Sequence, residues 1–315
     1  GVFGALISDS CNFSIENLEI NSRTASNPSQ KRTCLFSRSL DEERPARRGM
    51  TVVALLADPA HGLLSSIIER GMMEGMTFTV PPESLTTALK QHATALRSYP
   101  EAILAHGSTP SVEWSISLEA NPTTPSSIVA ERSMRIDFGE KPSEQAGEQI
   151  DICVHGMLPP LEGSEDAAMF QTWIAHEGPS PPPMPDHEYR YWCDRTDIAY
   201  AIVELLKGKP LEGTFNLTGR RRWTLLETWS EFHDLVNRTK AGRTGEFDVS
   251  HLEAKGVPSI KAVRLASTTA GQKRPSLEAI HRFLEVQDGE GWRPKTPLRQ
   301  SLMFVIAVLD GHQPR

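Results

Sequence analysis

The chain has 315 residues, a net charge of −7 and a hydrophobic fraction of 38%. That is enough for one large α/β domain with a smaller lobe. The acidic balance, with no Lys/Arg stripe interleaved with aromatics, argues against a nucleic-acid footprint. No apolar run approaches the length of a membrane span, and no basic region followed by an apolar core marks a secretory leader. The cysteines Cys11, Cys34, Cys153 and Cys193 include no CxxC pair. They predict no zinc site, but buried free thiols in a reducing cytoplasm.

In chain order, Gly1-Val-Phe-Gly4 opens on two glycines three residues apart, followed by a predicted helix over 5–13 and a strand over 15–20 that ends near Arg23. Residues 24–50 are polar, rich in Ser and Arg, and read as loop. Residues 51–57, Thr-Val-Val-Ala-Leu-Leu-Ala, form a continuous apolar run followed by Asp58-Pro59, the pattern of a strand buried on both faces. Helices are expected over 63–76 and over 81–98, the second with Pro81-Pro82 in its first turn and Leu85, Leu89 and Leu96 on one face. A short strand over 102–105 leads into His106-Gly-Ser108-Thr109. Thr124 as N-cap and Pro125 predict a helix over 124–133. Residues 149–154 read as a strand that ends at His155. A helix over 165–175 carries Phe170, Trp173 and Ile174, and Pro179 to Pro185 is a polyproline-like linker. Ile198, Ala201, Ile202, Leu205 and Leu206 recur at helical spacing. Thr224 and Glu227 form a capping box ahead of a helix bearing Leu225, Trp229, Phe232 and Val236.

Three stretches carry a resemblance. Arg190, Asp197, Ile198, Ala199, Ala201 and Ile202 fall on the pattern Arg-Asp-Phe-Val-x-Val-Asp-Asp-Val-Ala-x-Ala-Ile, with Tyr191 and Thr196 replacing two of its acids. Residues 213–219, Gly-Thr-Phe-Asn-Leu-Thr-Gly, match Gly-x-Tyr-Asn-Leu-Gly. Residues 291–298, Gly-Trp-Arg-Pro-Lys-Thr-Pro-Leu, match Gly-Trp-x-Pro-x-Thr-x-Leu. On these the chain resembles the extended short-chain dehydrogenase/reductases of the NAD-dependent epimerase/dehydratase type.

The resemblance implies an α/β fold: a Rossmann-like, doubly wound parallel sheet over 1–160, and a smaller mixed C-terminal substrate lobe over 161–315 interleaved with the last strands. It implies NAD or NADP, with Gly1 and Gly4 as the last glycines of the pyrophosphate turn and Arg23 facing a 2′-phosphate; the strand before that turn is then missing. Residues 51–57 correspond to the family's fourth strand. The rival reading, which makes them the first strand with Gly62 in a degenerate glycine turn, is set aside because too few residues would remain for the later strands and crossovers. The strand over 102–105 then precedes the catalytic hydroxyl, matched by Ser108. The family's Tyr-x-x-x-Lys pair falls on Thr123 and Ser127 when Glu131 is aligned. Neither residue replaces its counterpart, since Thr has no accessible phenolate and Ser no charge. None of Tyr99, Tyr189, Tyr191 and Tyr200 has a lysine four residues later.

Asp58, His61, His106, Ser108, Glu113 and His155 are expected at or just after the carboxyl ends of strands, where open α/β sheets bind ligands. The histidines suit acid/base chemistry near neutral pH. The expected catalytic set is Ser108, His106, Asp58, His155 and Thr123. Arg190 meets a diphosphate or forms a structural ion pair; Trp114 lines a pocket or packs. No metal is expected. The functional expectation is a cytoplasmic enzyme of small-molecule or sugar-nucleotide-like metabolism that runs acid/base or ring-forming chemistry, with the dinucleotide either kept or lost. A conventional NAD(P)-dependent epimerase, dehydratase or reductase, and a non-catalytic partner subunit, stay open, as does a homodimer.

Overall fold

Eleven strands and eight helices follow one another in the described residues of the computed structural model, which are 51–109, 111–118, 128–139, 149–176, 178, 180–185, 188–208, 212–246, 249 and 274–311. The readings placed on Gly1, Gly4, Arg23 and Thr123 lie outside them. The strands are β1 (Val52–Leu55), β2 (Thr77–Val80), β3 (Ile103–Ala105), β4 (Val112–Leu118), β5 (Ala130–Phe138), β6 (Gln149–Val154), β7 (Met157–Leu158), β8 (Tyr189–Arg190), β9 (Cys193–Asp194), β10 (Gly213–Leu217) and β11 (Trp223–Thr224). The helices are α1 (Gly62–Met73), α2 (Pro82–Gln91), α3 (Ala93–Leu96), α4 (Glu165–Ala175), α5 (Arg195–Gly208), α6 (Leu225–Thr244), α7 (Glu278–Asp288) and α8 (Leu298–Gly311). None is long and apolar enough to cross a membrane.

Seven strands form one parallel sheet in the order β10-β6-β5-β4-β1-β2-β3. The chain runs outward from β1 to β3, returns to the centre at β4, and runs outward the other way. This is the Rossmann-like order, and its switch point lies between β1 and β4.

Three expectations are thereby corrected. Val52–Leu55 is the first strand of this sheet, not the fourth. Residues 103–105 form the edge strand, not the one that precedes the family's catalytic helix. Residues 130–138 are a strand where the end of a helix was expected. Residues from 51 onward suffice for all seven strands because some of the crossovers are short. Three connections, residues 106–111, 119–129 and 139–148, are shorter than the dozen or more residues usual for a parallel crossover.

The same strands show a period of two. Register places Phe78, Val53 and Trp114 in one row, and Leu55, Ile116, Met134 and Ile150 in the next. These side chains are buried in one core with residues of α1, α2, α5 and α7. The alternate positions are small or polar: Thr79, Ala54, Ser115 and Ser133, then Ser117, Arg135 and Asp151. A strand packed on helices on both sides reads as continuously apolar; β4, β5 and β6 do not. Arg135 is 4% exposed. Its Nε donates to Asp137 at 3.0 Å and its Nη2 pairs with Asp151 at 2.9 Å. Trp114 is fully buried in the apolar row, with the Arg132 guanidinium 5.5 Å from its ring centroid. The reading of Trp114 as a pocket wall is therefore corrected to core packing.

A second core joins α4, α6 and α8 through Phe170, Trp173, Trp192, Trp229, Phe232 and Leu302. Phe170 meets Trp173, Trp192 and Phe232 at centroid distances of 5.0–5.6 Å, and the Trp192 indole donates to Thr228 Oγ1 at 2.9 Å. Thr224 and Glu227 close the capping box of α6, a device worth about 1 kcal/mol. The turn before α8 is tied to α5. Both carboxylate oxygens of Asp197, in the first turn of α5, accept backbone N–H groups, from Lys295 and Thr296, each at 3.0 Å. The Trp292 indole donates to the Thr218 carbonyl at 2.9 Å.

Candidate functional site

The carboxyl ends of the strands form one edge of the sheet, and Asp58, His61, His106 and His155 lie along it; Glu113, expected there, is instead the second residue of β4, at its amino end. At the exit of β1, Asp58 is exposed and accepts the Ala60 N–H at 2.9 Å. His61 precedes α1 and lies 5.6 Å, ring to ring, from Phe138 at the end of β5. Burial lowers its pKa below 6.5, as does the Arg195 guanidinium, while Asp58 raises it. At the exit of β3, the His106 Nδ1 lies 3.0 Å from Thr79 Oγ1, and Ser108 is exposed.

Beyond Phe138 a cavity of about 430 Å³ is lined by His155, Met157, Asp166, Glu188, Arg190 and Tyr191, among others. Gly156 shapes its floor: it has φ +62°, and a Cβ there would lie 3.0 Å from the Tyr191 carbonyl. The geometry defines the His155 tautomer. Asn216 Nδ2 donates to the Ser276 carbonyl at 3.1 Å, which turns its Oδ1 toward His155 Nε2 at 3.2 Å. Nε2 is therefore the donor, and Nδ1 the acceptor of the neutral ring. Arg190 spends its guanidinium on Asp166 at 3.0 Å and Glu188 at 2.6 Å. Of its two readings, the ion pair is the one visible in this geometry.

Pro275 separates this cavity from a larger one, of about 710 Å³, lined by Arg220, Arg274, Ser276, Glu278, His281 and Trp292. Arg274 Nη1 donates to the Arg220 carbonyl at 3.4 Å. The acid in the wall, Glu278, pairs with Arg282. Among the described residues neither Arg220 nor Arg274 has a carboxylate partner.

The structure thus brings His155 and Arg190 together, and Asp58 with His61. It does not bring His106 and Ser108 to His155. Five strand spacings of about 4.8 Å, roughly 24 Å, separate β3 from β6. Sequence reasoning missed Arg195, Arg274 and His281 as site residues. The one legible signal was Arg274-Pro275 directly before an amphipathic helix.

Three histidines give the fold a pH dependence of definite sign. His61, His92 and His106 are all lowered from 6.5, burial being the first cause in each. The unfolded chain binds their protons more readily. The stability they contribute is complete above 6.5 and is lost as pH falls through the lower, folded values. The unfolding midpoint is expected to drop between about pH 7.5 and pH 5.5, and His92→Gln to flatten the slope. A midpoint that rises toward acid over that range contradicts this.

No family model matches the sequence, and no curated protein does. Among solved structures, the chain is similar to the Bordetella bronchiseptica enzyme WbmF in complex with NADH, with a TM-score of 0.50 at 10% identity over 83% of this chain and 94% of that one. It is also similar to the dTDP-glucose 4,6-dehydratase of Bacillus anthracis in complex with NAD (0.48, 12%, 84% and 97%). The UDP-N-acetylglucosamine 4-epimerase of Bacillus cereus is a further match (0.45, 8%, 82% and 99%). At 10% identity the likeness to WbmF is one of fold alone: the chain has a Rossmann-like fold, a seven-stranded parallel sheet flanked by helices.

That fold implies a dinucleotide with its diphosphate at the N-terminus of α1. The topology fits, Gly62 stands at the start of the helix, and the first turn of α1 holds no acid. The local groups do not fit. Pro59 has no N–H, and the N–H groups of Ala60 and His61 are spent on Asp58, on its Oδ1 and its carbonyl, at 2.9 and 3.0 Å. A Cβ on Gly62 would lie 2.5 Å from Arg195 Nη1, so the guanidinium occupies the approach. At the exit of β2 the chain reads Val80-Pro81-Pro82, and the nearest acid, Glu83, already lies in α2.

Proposed function

We propose that this protein is an enzyme of small-molecule metabolism that binds a phosphate-bearing substrate at the carboxyl ends of β5, β6 and β10 and transforms it by proton transfer rather than hydride transfer. The observation that carries this reading is the pair of guanidiniums, Arg220 and Arg274, which line the 710 Å³ cavity without a carboxylate partner among the described residues. A planar bidentate donor suits a phosphate group. Trp292 and Leu277 supply apolar wall for the rest of the ligand.

His155 is the residue assigned to the proton. Its ring is oriented by Asn216, which is itself oriented by Ser276. The neutral imidazole serves as the general base, a role worth about 10²–10⁴-fold in rate. Asp58 and His61 lie across Phe138 and are the further acid/base candidates of the same edge. The redox alternative is the weaker one. The family's Tyr-x-x-x-Lys follows the fifth strand, and the connection after β5, residues 139–148, contains no tyrosine. Tyr99, Tyr189, Tyr191 and Tyr200 all lie elsewhere.

The test is a fluorescence titration, read from the tryptophans, with a panel of sugar phosphates and sugar nucleotides. Arg274→Ala is expected to weaken the best ligand by tenfold or more, about 1.4 kcal/mol. His155→Gln is expected to bind it with unchanged affinity and to lose turnover. Equal affinity in Arg274→Ala and wild type sinks the reading.

A further inference from the structure

We infer that the turn between β1 and α1 is closed by the chain's own charged groups, Asp58 and Arg195, and that the protein therefore binds no dinucleotide at the N-terminus of α1. This goes beyond the proposed substrate site and is independent of it.

A diphosphate is held at such a turn because successive backbone N–H groups point at it and the helix N-terminus is positive. Both conditions are changed here. The turn carries its own anion: the Asp58 carboxylate takes the Ala60 N–H at 2.9 Å, and the Asp58 carbonyl takes the His61 N–H at 3.0 Å. Proline at 59 removes a third donor. An incoming phosphate would have to displace a carboxylate joined covalently to the same turn, at an effective concentration no free ligand matches.

The approach carries its own cation. Arg195 is the first residue of α5, which lies beside α1 on the same face of the sheet. Its Nη1 rests on Gly62, at 2.5 Å from the position a Cβ would take. Glycine at 62 therefore admits a guanidinium from within the chain, in the place where such a glycine otherwise admits a ligand's phosphate. The same guanidinium faces His61, whose pKa it helps to lower.

The trough toward β3 is also occupied. The His106 ring meets the neighbouring strand β2, its Nδ1 lying 3.0 Å from Thr79 Oγ1. At the exits of β1, β2 and β3, Asp58 is thus engaged with the Ala60 and His61 N–H groups, and His106 with Thr79.

The experiment is calorimetric titration of the full chain with NAD+, NADH, NADP+, NADPH and ADP-ribose, alone, at millimolar concentration. Wild type is expected to show no saturable binding. The double variant Asp58→Gly/Arg195→Ala frees the N–H groups and the approach, and is expected to gain ADP-ribose binding by at least about tenfold. Circular dichroism and the thermal midpoint show whether the variant is folded. Saturable binding by wild type overturns the inference. So does Arg195→Ala losing an affinity that wild type has, since Arg195 would then be a phosphate ligand. A folded double variant that gains nothing also overturns it. Each titration is repeated in Arg274→Ala: binding lost with that substitution belongs to the proposed phosphate-bearing cavity, and only binding that survives it is read at this turn.

Discussion

Arg135→Ala is expected to lower the free energy of unfolding by about 3–5 kcal/mol, the cost of leaving buried charges without their partner. Arg135 is 4% exposed and holds two carboxylates, Asp137 at 3.0 Å and Asp151 at 2.9 Å, on the polar side of the sheet. Removing the cation strands both. The reciprocal change is expected to be mild. Burial pushes the Asp151 carboxyl above 3.8 more strongly than Arg135 pulls it down, and Asp137 adds to the rise. Because the folded pKa is raised, the protonated form is the one the fold favours: Asp151 contributes stability in acid that is lost as pH rises through its folded pKa. Asp151→Asn, which keeps the bond from Gln149 within reach, is expected to change stability by less than about 1 kcal/mol at neutral pH. Urea denaturation of the two variants decides the matter. A loss in Arg135→Ala no larger than that in Asp151→Asn would mean that the pair is not acting as a buried ion cluster.

Asp197→Ala is expected to cost about 3 kcal/mol. The carboxylate is 9% exposed and accepts two backbone N–H groups, from Lys295 and Thr296. A hydrogen bond to a charged group contributes about 1.5–3 kcal/mol, and a buried donor left unpaired costs about 1–3 kcal/mol. Asp197→Asn retains one acceptor and is expected to recover about half of the loss. The damage should be local first. Hydrogen exchange at Lys295 and Thr296 is expected to accelerate before exchange in β1 or β4, because the bonds tie the turn before α8 to α5 rather than to the sheet. Uniform acceleration across the sheet would contradict that assignment.

Asp197 also explains why two distant stretches of sequence carried the family resemblance so clearly. The run from Arg190 to Ile202 and the run from Gly291 to Leu298 are the two halves of one clamp, and Trp292 closes it on the Thr218 carbonyl. These residues are chosen by backbone geometry and burial. They mark the fold and not a reaction. Arg190 belongs with them: its charge is used on Asp166 and Glu188.

The helices Glu165–Ala175, Arg195–Gly208 and Leu225–Thr244 were legible for local reasons. Their apolar spacing and caps, Ser164 and Thr224 among them, are contained within a few residues. The period-two alternation of Val112–Leu118, Ala130–Phe138 and Gln149–Val154 was equally present in the sequence. It went unread in Val112–Leu118, and in Ala130–Phe138 Glu131 invited alignment on a helix. Alternation states that one side of a strand is polar; it does not state which strand lies beside which. Strand order, and with it the identity of Val52–Leu55 as the first strand, was decided by pairings between β1 and β4 and between β6 and β10. These are non-local and leave no periodic trace.

The candidate site divides in the same way. Residue type and position at strand ends singled out Asp58, His61 and His155 from sequence, because ligands gather at the carboxyl edge of an open sheet. The sequence alone determined that none of Tyr99, Tyr189, Tyr191 and Tyr200 has a lysine four residues later. Only the tertiary structure decided that Trp114 lies inside and that His106 and His155 are strands apart. It also decided that Arg195, far along the chain from Gly62, rests on it. Each of these depends on which segments pack together, a choice made by the burial of whole helix and sheet faces.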